Sequence, residues 1–346
     1  MKKTLVVLLI LAVTSGAFAQ ITPFGNVRLD FGATINSGDN NDYAPKWNFG
    51  LSGDATNFGV RVGDDDAGGE VLIRYSTDVR ANGWVNIGPV QLKVGNGEFF
   101  GQWGSAGVWG HSGYGFGCSA LGGQNPYIQV GAQGFVAGLA EGGVSGKYLA
   151  TSADTKSPAG QYLPFPAFFA GYDMTIDGVA SFGAMFAGQF VGERYEDAGT
   201  GDKDGKFPLM FNVHGKLLML DPITIGLNVG FYLAPSHAPA LFVTAGNPAV
   251  GPGGKSTVLE AMVDFCIPLD PCTIGISAAL VTDLASKSDG GGGSAFQIAA
   301  GANFGIGETG FYIVPGLIFT NISKLPGGAD GKNSTFDLGV SLGYSF

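Results

Sequence analysis

Residues 336–346, Phe-Asp-Leu-Gly-Val-Ser-Leu-Gly-Tyr-Ser-Phe, constrain the fold more than any other stretch of the chain. Phe336, Leu338, Val340, Leu342, Tyr344 and Phe346 are large and apolar or aromatic, and the residues between them are small or polar. A period of two held over this length is that of a β-strand with one apolar face and one wet face. No later segment follows to cover the apolar side, so that side is expected to meet an apolar medium. A sheet tolerates this only when it closes on itself and leaves no unpaired edge.

A strand that alternates in this way and closes on the aromatic Phe346 resembles the last strand of bacterial outer-membrane β-barrels. The resemblance implies an all-β fold, an antiparallel transmembrane β-barrel with short periplasmic turns and longer external loops. It also implies outer-membrane lipid as the surroundings, and recognition of the Phe346 strand by the barrel-assembly machinery.

The N-terminus suits export. Met1-Lys2-Lys3 is a positive start, residues 5–13 are apolar, and Ala17-Phe18-Ala19 is a small-residue cleavage site, so residues 1–19 read as a signal peptide. The apolar run is about half of the roughly 20 residues a spanning helix needs. Residues 20–346 then form a single barrel domain. Without Lys2 and Lys3 the chain carries 16 basic against 28 acidic residues, a balance that argues against nucleic acid as a partner. Glycine, at 60 of 346 residues and with no collagen period, suits a strongly curved sheet in which rings cover bare backbone.

Alternation recurs along the chain. Early strands are expected over residues 24–36, around Trp47, Phe49 and Leu51, around Phe58, Val60 and Val62, at 71–75 and at 90–94. A tight turn is expected at 54–56, and an external loop at Asp64-Asp65-Asp66. Residues 95–125 show no sustained alternation and read as the longest loop. Two weaker strands fall within 127–150. After residue 162, hairpins are expected to turn at Asp177-Gly178, Asp221-Pro222 and Asp270-Pro271, followed by strands at 296–304 and 311–320 and the terminal strand. This gives seven strands before residue 162 and nine after, sixteen in all, or fourteen if the weak pair is dropped.

Catalytic and cofactor signatures are sparse. The histidines are His111, His214 and His237, with no Gly-x-Ser-x-Gly elbow or His-Glu-x-x-His motif, so no catalytic residue is assigned and no enzyme is expected. Residues 249–256 match a permissive phosphate-loop pattern, but the strand before and helix after that such a loop needs are missing. Residues 202–205 match only part of a calcium loop, so no metal and no cofactor is expected. Cys266 and Cys272 flank the turn at 270–271. They form either a cross-strand disulfide in an oxidising periplasm or two separate buried thiols.

Strand parity places Arg28, Lys46, Arg61, Arg74 and Lys93 inward on the early strands, with Asp30 and Glu70 beside them. Later strands turn Asp173, His214, Lys216, Glu260 and Asp264 inward. Charges so placed need water or close pairing. A barrel of about sixteen strands is wide enough to hold an aqueous channel. A basic wall across from a more acidic one would set up a transverse field that filters hydrated solutes.

Sixteen strands, with a long third external loop after the fifth, resemble the general-diffusion porins. Gly97-Glu98-Phe99-Phe100-Gly101 is similar to the acidic-aromatic-glycine segment of the porin loop. The resemblance implies passive diffusion of small hydrophilic solutes and ions, a homotrimer, and Glu98 as a lumen residue if the 95–125 loop folds inward. The alternative for the loop is an external lid. The alternative for the protein is a surface adhesin or antigen that uses the barrel only as an anchor.

Overall fold

A computed structural model describes residues 21–38, 46–52, 56–75, 79–96, 127–140, 167–189, 209–234, 256–284, 294–324 and 333–346. Every regular element among them is a strand: β1 (Ile21–Gly38), β2 (Lys46–Leu51), β3 (Asn57–Gly63), β4 (Ala67–Arg74), β5 (Val79–Ile87), β6 (Val90–Gly95), β7 (Tyr127–Ala132), β8 (Phe135–Ala140) and β9 (Ala167–Ile176) in the first half. The second half holds β10 (Ala180–Gln189), β11 (Leu209–Leu217), β12 (Thr224–Ala234), β13 (Ser256–Leu269), β14 (Cys272–Asp283), β15 (Ser294–Gly305), β16 (Phe311–Lys324) and β17 (Asn333–Ser345). Each strand pairs antiparallel with the next, apart from the β2–β3 break, and β17 pairs with β1, so the sheet closes. The termini seal the seam, because Gly25 and Phe346 exchange both backbone hydrogen bonds, at 3.0 and 3.1 Å.

Seventeen strand segments make sixteen staves, because β2 and β3 are two lengths of one stave. Both run antiparallel to β1, with Leu51 opposite Leu29 and Asn57 opposite Asn26. Between those rungs the chain has five residues, 52–56, against two on β1, Val27 and Arg28, an excess of three. The odd excess flips the side-chain parity, so Leu51 and Phe58 both look outward. Thr56 closes the gap: its Oγ1 accepts from the Arg28 amide and donates to the Arg28 carbonyl, each at 3.1 Å.

The chain therefore does not reverse at residues 54–56, contrary to expectation. It reverses at Asp64-Asp65-Asp66, which is a tight turn at the end carrying the termini and not a loop at the other end. Asp is a turn former because its carboxylate satisfies nearby amides. Asp64 Oδ1 accepts from the amides of Asp66 and Ala67, both at 2.9 Å, and Asp64 N donates to Ala67 O at 3.0 Å.

β5 is the strand that alternation missed. Its outward face carries Val79, Val85 and Ile87, but the small Ala81 and Gly83 interrupt the alternation between them, and the large Trp84 lies on the other face. The error of splitting one stave and that of missing another cancel. The connection covering residues 96–126 follows the fifth stave, and sixteen stands. The weak pair in 127–150 forms β7 and β8, joined at Gln133-Gly134, where both residues have positive φ (48° and 85°), as a two-residue hairpin turn requires. The turns at 177–178, 221–222 and 270–271 fall where expected.

Outward positions are apolar and open, with Trp47 at 67% and Phe49 at 73% exposure. Phe31 stacks with Trp47, ring centroids 5.8 Å apart, and Tyr344 with Phe346 at 5.9 Å. Such a belt is suited to hydrocarbon.

Candidate lumen site

Among the described residues of the staves, charge gathers on the inward positions. On β1, Arg28 is buried and its Nε contacts Asp30 Oδ1 at 2.7 Å. Ser341 on β17 donates to the same Asp30 oxygen at 2.7 Å, and Thr34 Oγ1 donates to Asp337 Oδ1 at 2.5 Å. The seam is thus zipped on its inner side by polar side chains.

Across β3 to β6 the inward cations are Arg61, Arg74, Arg80 and Lys93, with Glu70 among them. Asn82 Nδ2 donates to Glu70 Oε1 at 3.1 Å, and Tyr127 on β7 donates to Asn82 Oδ1 at 2.8 Å. Gly95, opposite Asn82 in register, leaves the space this amide fills.

On the far wall, β9 to β13, the charges thin out and become mixed. His214 Nε2 lies 2.8 Å from Asp173 Oδ1, and His214 Nδ1 lies 3.3 Å from Asn212 Oδ1. Asn212, with no exposed surface, donates through Nδ2 to Asn228 Oδ1 at 2.5 Å. The chain Asp173–His214–Asn212–Asn228 therefore crosses four neighbouring strands. Lys216 follows two positions along β11, and the buried Asp264 sits on β13. Lys46 and Glu260 occupy lumen-face register positions on β2 and β13.

The predicted inward residues thus share one face. They do not converge on one point, because they are spread over both walls. Six basic positions on the lumen face of β1 to β6, Arg28, Lys46, Arg61, Arg74, Arg80 and Lys93, outnumber Asp30 and Glu70 there, whereas Asp173, Glu260 and Asp264 stand on the other wall with Lys216. Glu98 and the 95–125 loop lie outside the described residues, apart from Gly95 and Asn96, as do Cys118 and the leader.

Cys266 and Cys272 are free thiols, which overturns the disulfide alternative. Cys266 pairs with Gly275 and Cys272 with Leu269. Three rungs at about 3.3 Å each separate them, beyond the reach of a disulfide, and their parity puts them on opposite faces. Spacing in sequence was symmetric about the turn, but register decides contact.

Several inward residues were not anticipated. Arg80, Asn82 and Trp84 went unseen with β5. Val314, Ile318 and Ala299 form a buried apolar cluster with Tyr312 on the inner face of β15 and β16. Met185 and Phe169 are likewise inward and nearly fully buried. Apolar residues on a nominally polar face give no alternation signal, so only the register reveals them.

No family model matches the chain, and no curated protein sequence matches it. Solved structures do. An anion-selective porin from Comamonas acidovorans matches over 95% of this chain and 100% of its own, at 13% identity and a TM-score of 0.59. The outer membrane channel DcaP of Acinetobacter baumannii matches over 96% of this chain and 98% of its own, at 16% identity and 0.59. Salmonella typhi OmpF, in complex with daunomycin, matches over 95% and 98%, at 13% identity and 0.59. The chain has the porin fold, a closed antiparallel barrel of sixteen staves, and at such identities the likeness is one of fold alone.

Proposed function

We propose that this protein is a bacterial outer-membrane channel, exported with its 1–19 leader removed, through which small hydrophilic solutes and ions diffuse passively. The observation that carries this reading is the division of faces on a closed sheet. Apolar side chains look outward, whereas Arg28, Asp30, Arg61, Glu70, Arg74, Lys93, Asp173, His214, Lys216 and Asp264 look inward. Ionised groups on an inner face are costly without water or close partners, and a bore of sixteen staves is wide enough to hold that water. The mechanism is size exclusion with charge selection by the basic arc of β1 to β6. No catalytic step and no cofactor enters it. The likeness to porins supports the same reading, as it supports a homotrimer in outer-membrane lipid.

A second reading, a barrel that only anchors surface loops, draws on the burial of Val314 and Ile318. Inward apolar groups at 2% and 3% exposure are covered, which an unobstructed bore would not do. Single-channel recording of refolded protein in a planar bilayer separates the two. Steady openings, whose anion preference falls when Arg74 and Lys93 are both replaced by Gln, support the channel. Silence from protein shown to be folded supports the anchor.

A further inference from the structure

The mouth at the end carrying the termini holds a feature that charge selection along the bore does not use. Arg61, on the inner face of β3, lies with its guanidinium 4.8 Å from the ring centroid of Trp84 on β5. Trp84 is itself fixed. Its Nε1 donates to Asp64 O at 3.0 Å, and its ring lies in the place where a Cβ on Gly68, its partner in register, would stand. A bare glycine thus leaves room for the indole against the wall, and the planar guanidinium stands over the indole ring.

Arg61 offers five donors in that plane. Among the described residues only Nη2 meets an acceptor, Asp65 Oδ1 at 3.2 Å. That partner is weakly held: the Asp65 carboxylate is fully exposed on the turn, and the Arg61 side chain is 44% exposed. Exposed pairs of this kind exchange readily for a carboxylate from solution. The neighbouring polar groups are already engaged. Asn86 Nδ2 donates to Asp65 O at 2.8 Å, Gln91 Nε2 donates to Asn86 Oδ1 at 3.1 Å, and Glu70, on the Arg61 rung, accepts from Asn82.

We propose that Arg61 and Trp84 form a binding subsite for small organic anions, a carboxylate carried on a planar apolar body, with Asp65 as the internal competitor that a solute displaces. A guanidinium recognises a carboxylate through two parallel N–H donors, and the ring beside it takes the apolar body. An inorganic anion lacks the second contact. The subsite rests on the channel reading, since it acts on solutes that pass the mouth.

The test is channel block by sodium benzoate, with sodium acetate as the control that lacks a ring, added separately to each side of a bilayer holding the full-length mature protein. Benzoate is expected to interrupt the current at lower concentration from the mouth that carries the termini, and acetate to do so weakly. Arg61→Gln should abolish the preference in channels that still open in potassium chloride, with their anion preference lowered by the charge lost from the basic arc. Asp65→Asn should sharpen block about two- to fivefold, the worth of the exposed pair it removes. Equal block of wild type and Arg61→Gln, or weaker block of Asp65→Asn, overturns the proposal. If wild type carries no current, the channel reading has failed first. Saturation-transfer contact between benzoate and detergent-solubilised protein, lost in Arg61→Gln, then still decides the subsite.

Discussion

Tyr312 on β16 stands directly across from Gly343 on β17, and its ring occupies the position that a Gly343 side chain would need. Phe24 lies on Gly59, Trp84 on Gly68 and Phe169 on Gly138 in the same manner, each pair in register. In a curved sheet a glycine exposes its backbone, and a ring laid across it restores the cover. Tyr312 also donates to Asn26 Oδ1 at 2.9 Å, tying the pair to β1 across the seam.

Gly343→Ala is therefore expected to push the ring off the wall and destabilise the barrel by about 1–3 kcal/mol. Tyr312→Ala costs the cover alone. The double variant should lose less than the sum of the two, because the clash needs both residues. Urea titrations of folding into detergent micelles, read by the gel-mobility shift of folded barrels, give the three values. Additive losses would show that ring and glycine act independently.

The buried Asn212 links His214 to Asn228. Asn212→Ala removes one acceptor and one donor together, so both neighbours lose a bond in a place of little water. A loss of about 1–3 kcal/mol is expected, the cost of leaving buried polar groups short of a partner. Asn212→Asp keeps the contact to His214 but withdraws the donor to Asn228, and should fall between wild type and Ala. Ala as stable as wild type in the same titration would exclude a structural role for the chain of bonds.

Much of this barrel was legible from period alone. Long apolar-out strands such as β1, β13 and β17 have no helical alternative, and Asp-Gly and Asp-Pro pairs marked their turns. What stayed hidden had definite causes. Thr56, between β2 and β3, is held to Arg28 of β1 by its hydroxyl, which no pattern announces, so a bulge looked like a turn. Asp64 looked like a solvated loop residue, although its carboxylate is spent on the backbone. β5 hid because Ala81 and Gly83 break the run between its outward Val79 and Val85, and Trp84 puts the largest ring on the inner face. Parity pointed to inward charges such as Arg28 and Asp264 on strands that alternation had found, but not to Asp337 on β17, which Thr34 meets across the seam. Partners such as Asp173 with His214 depend on register across strands 41 residues apart, which one sequence does not contain.

Asp64 makes the first turn sensitive to acid. The amides of Ala67 and then Asp66 hold its carboxyl below the ordinary carboxylate value of 3.8. A group depressed on folding contributes stability that is complete above its unfolded value and lost as the pH falls through the lower folded one. Wild type should therefore lose stability on acidification from about pH 5 to about pH 2 more steeply than Asp64→Asn, whose amide oxygen keeps the turn without titrating. Unfolding midpoints measured across that range check it. Parallel acid limbs in the two proteins would rule out the assignment.

The thiols test the register itself. With Cys118 replaced by Ala, Cys266 and Cys272 are expected to remain two free thiols after mild oxidation, because β13 and β14 hold them three rungs apart and on opposite faces. Mass spectrometry after alkylation of unfolded protein should count both, with no change in mobility on reduction. In the folded barrel a charged, water-soluble methanethiosulfonate should react with Cys266, which parity turns to the lumen beside Lys216. A lipid-soluble maleimide should favour Cys272 on the outer face. An intact disulfide, or the reverse pattern of labelling, would mean that β13 is shifted by at least one residue. Such a shift would also turn Asp264 and Met262 outward, and with them the inner wall described above.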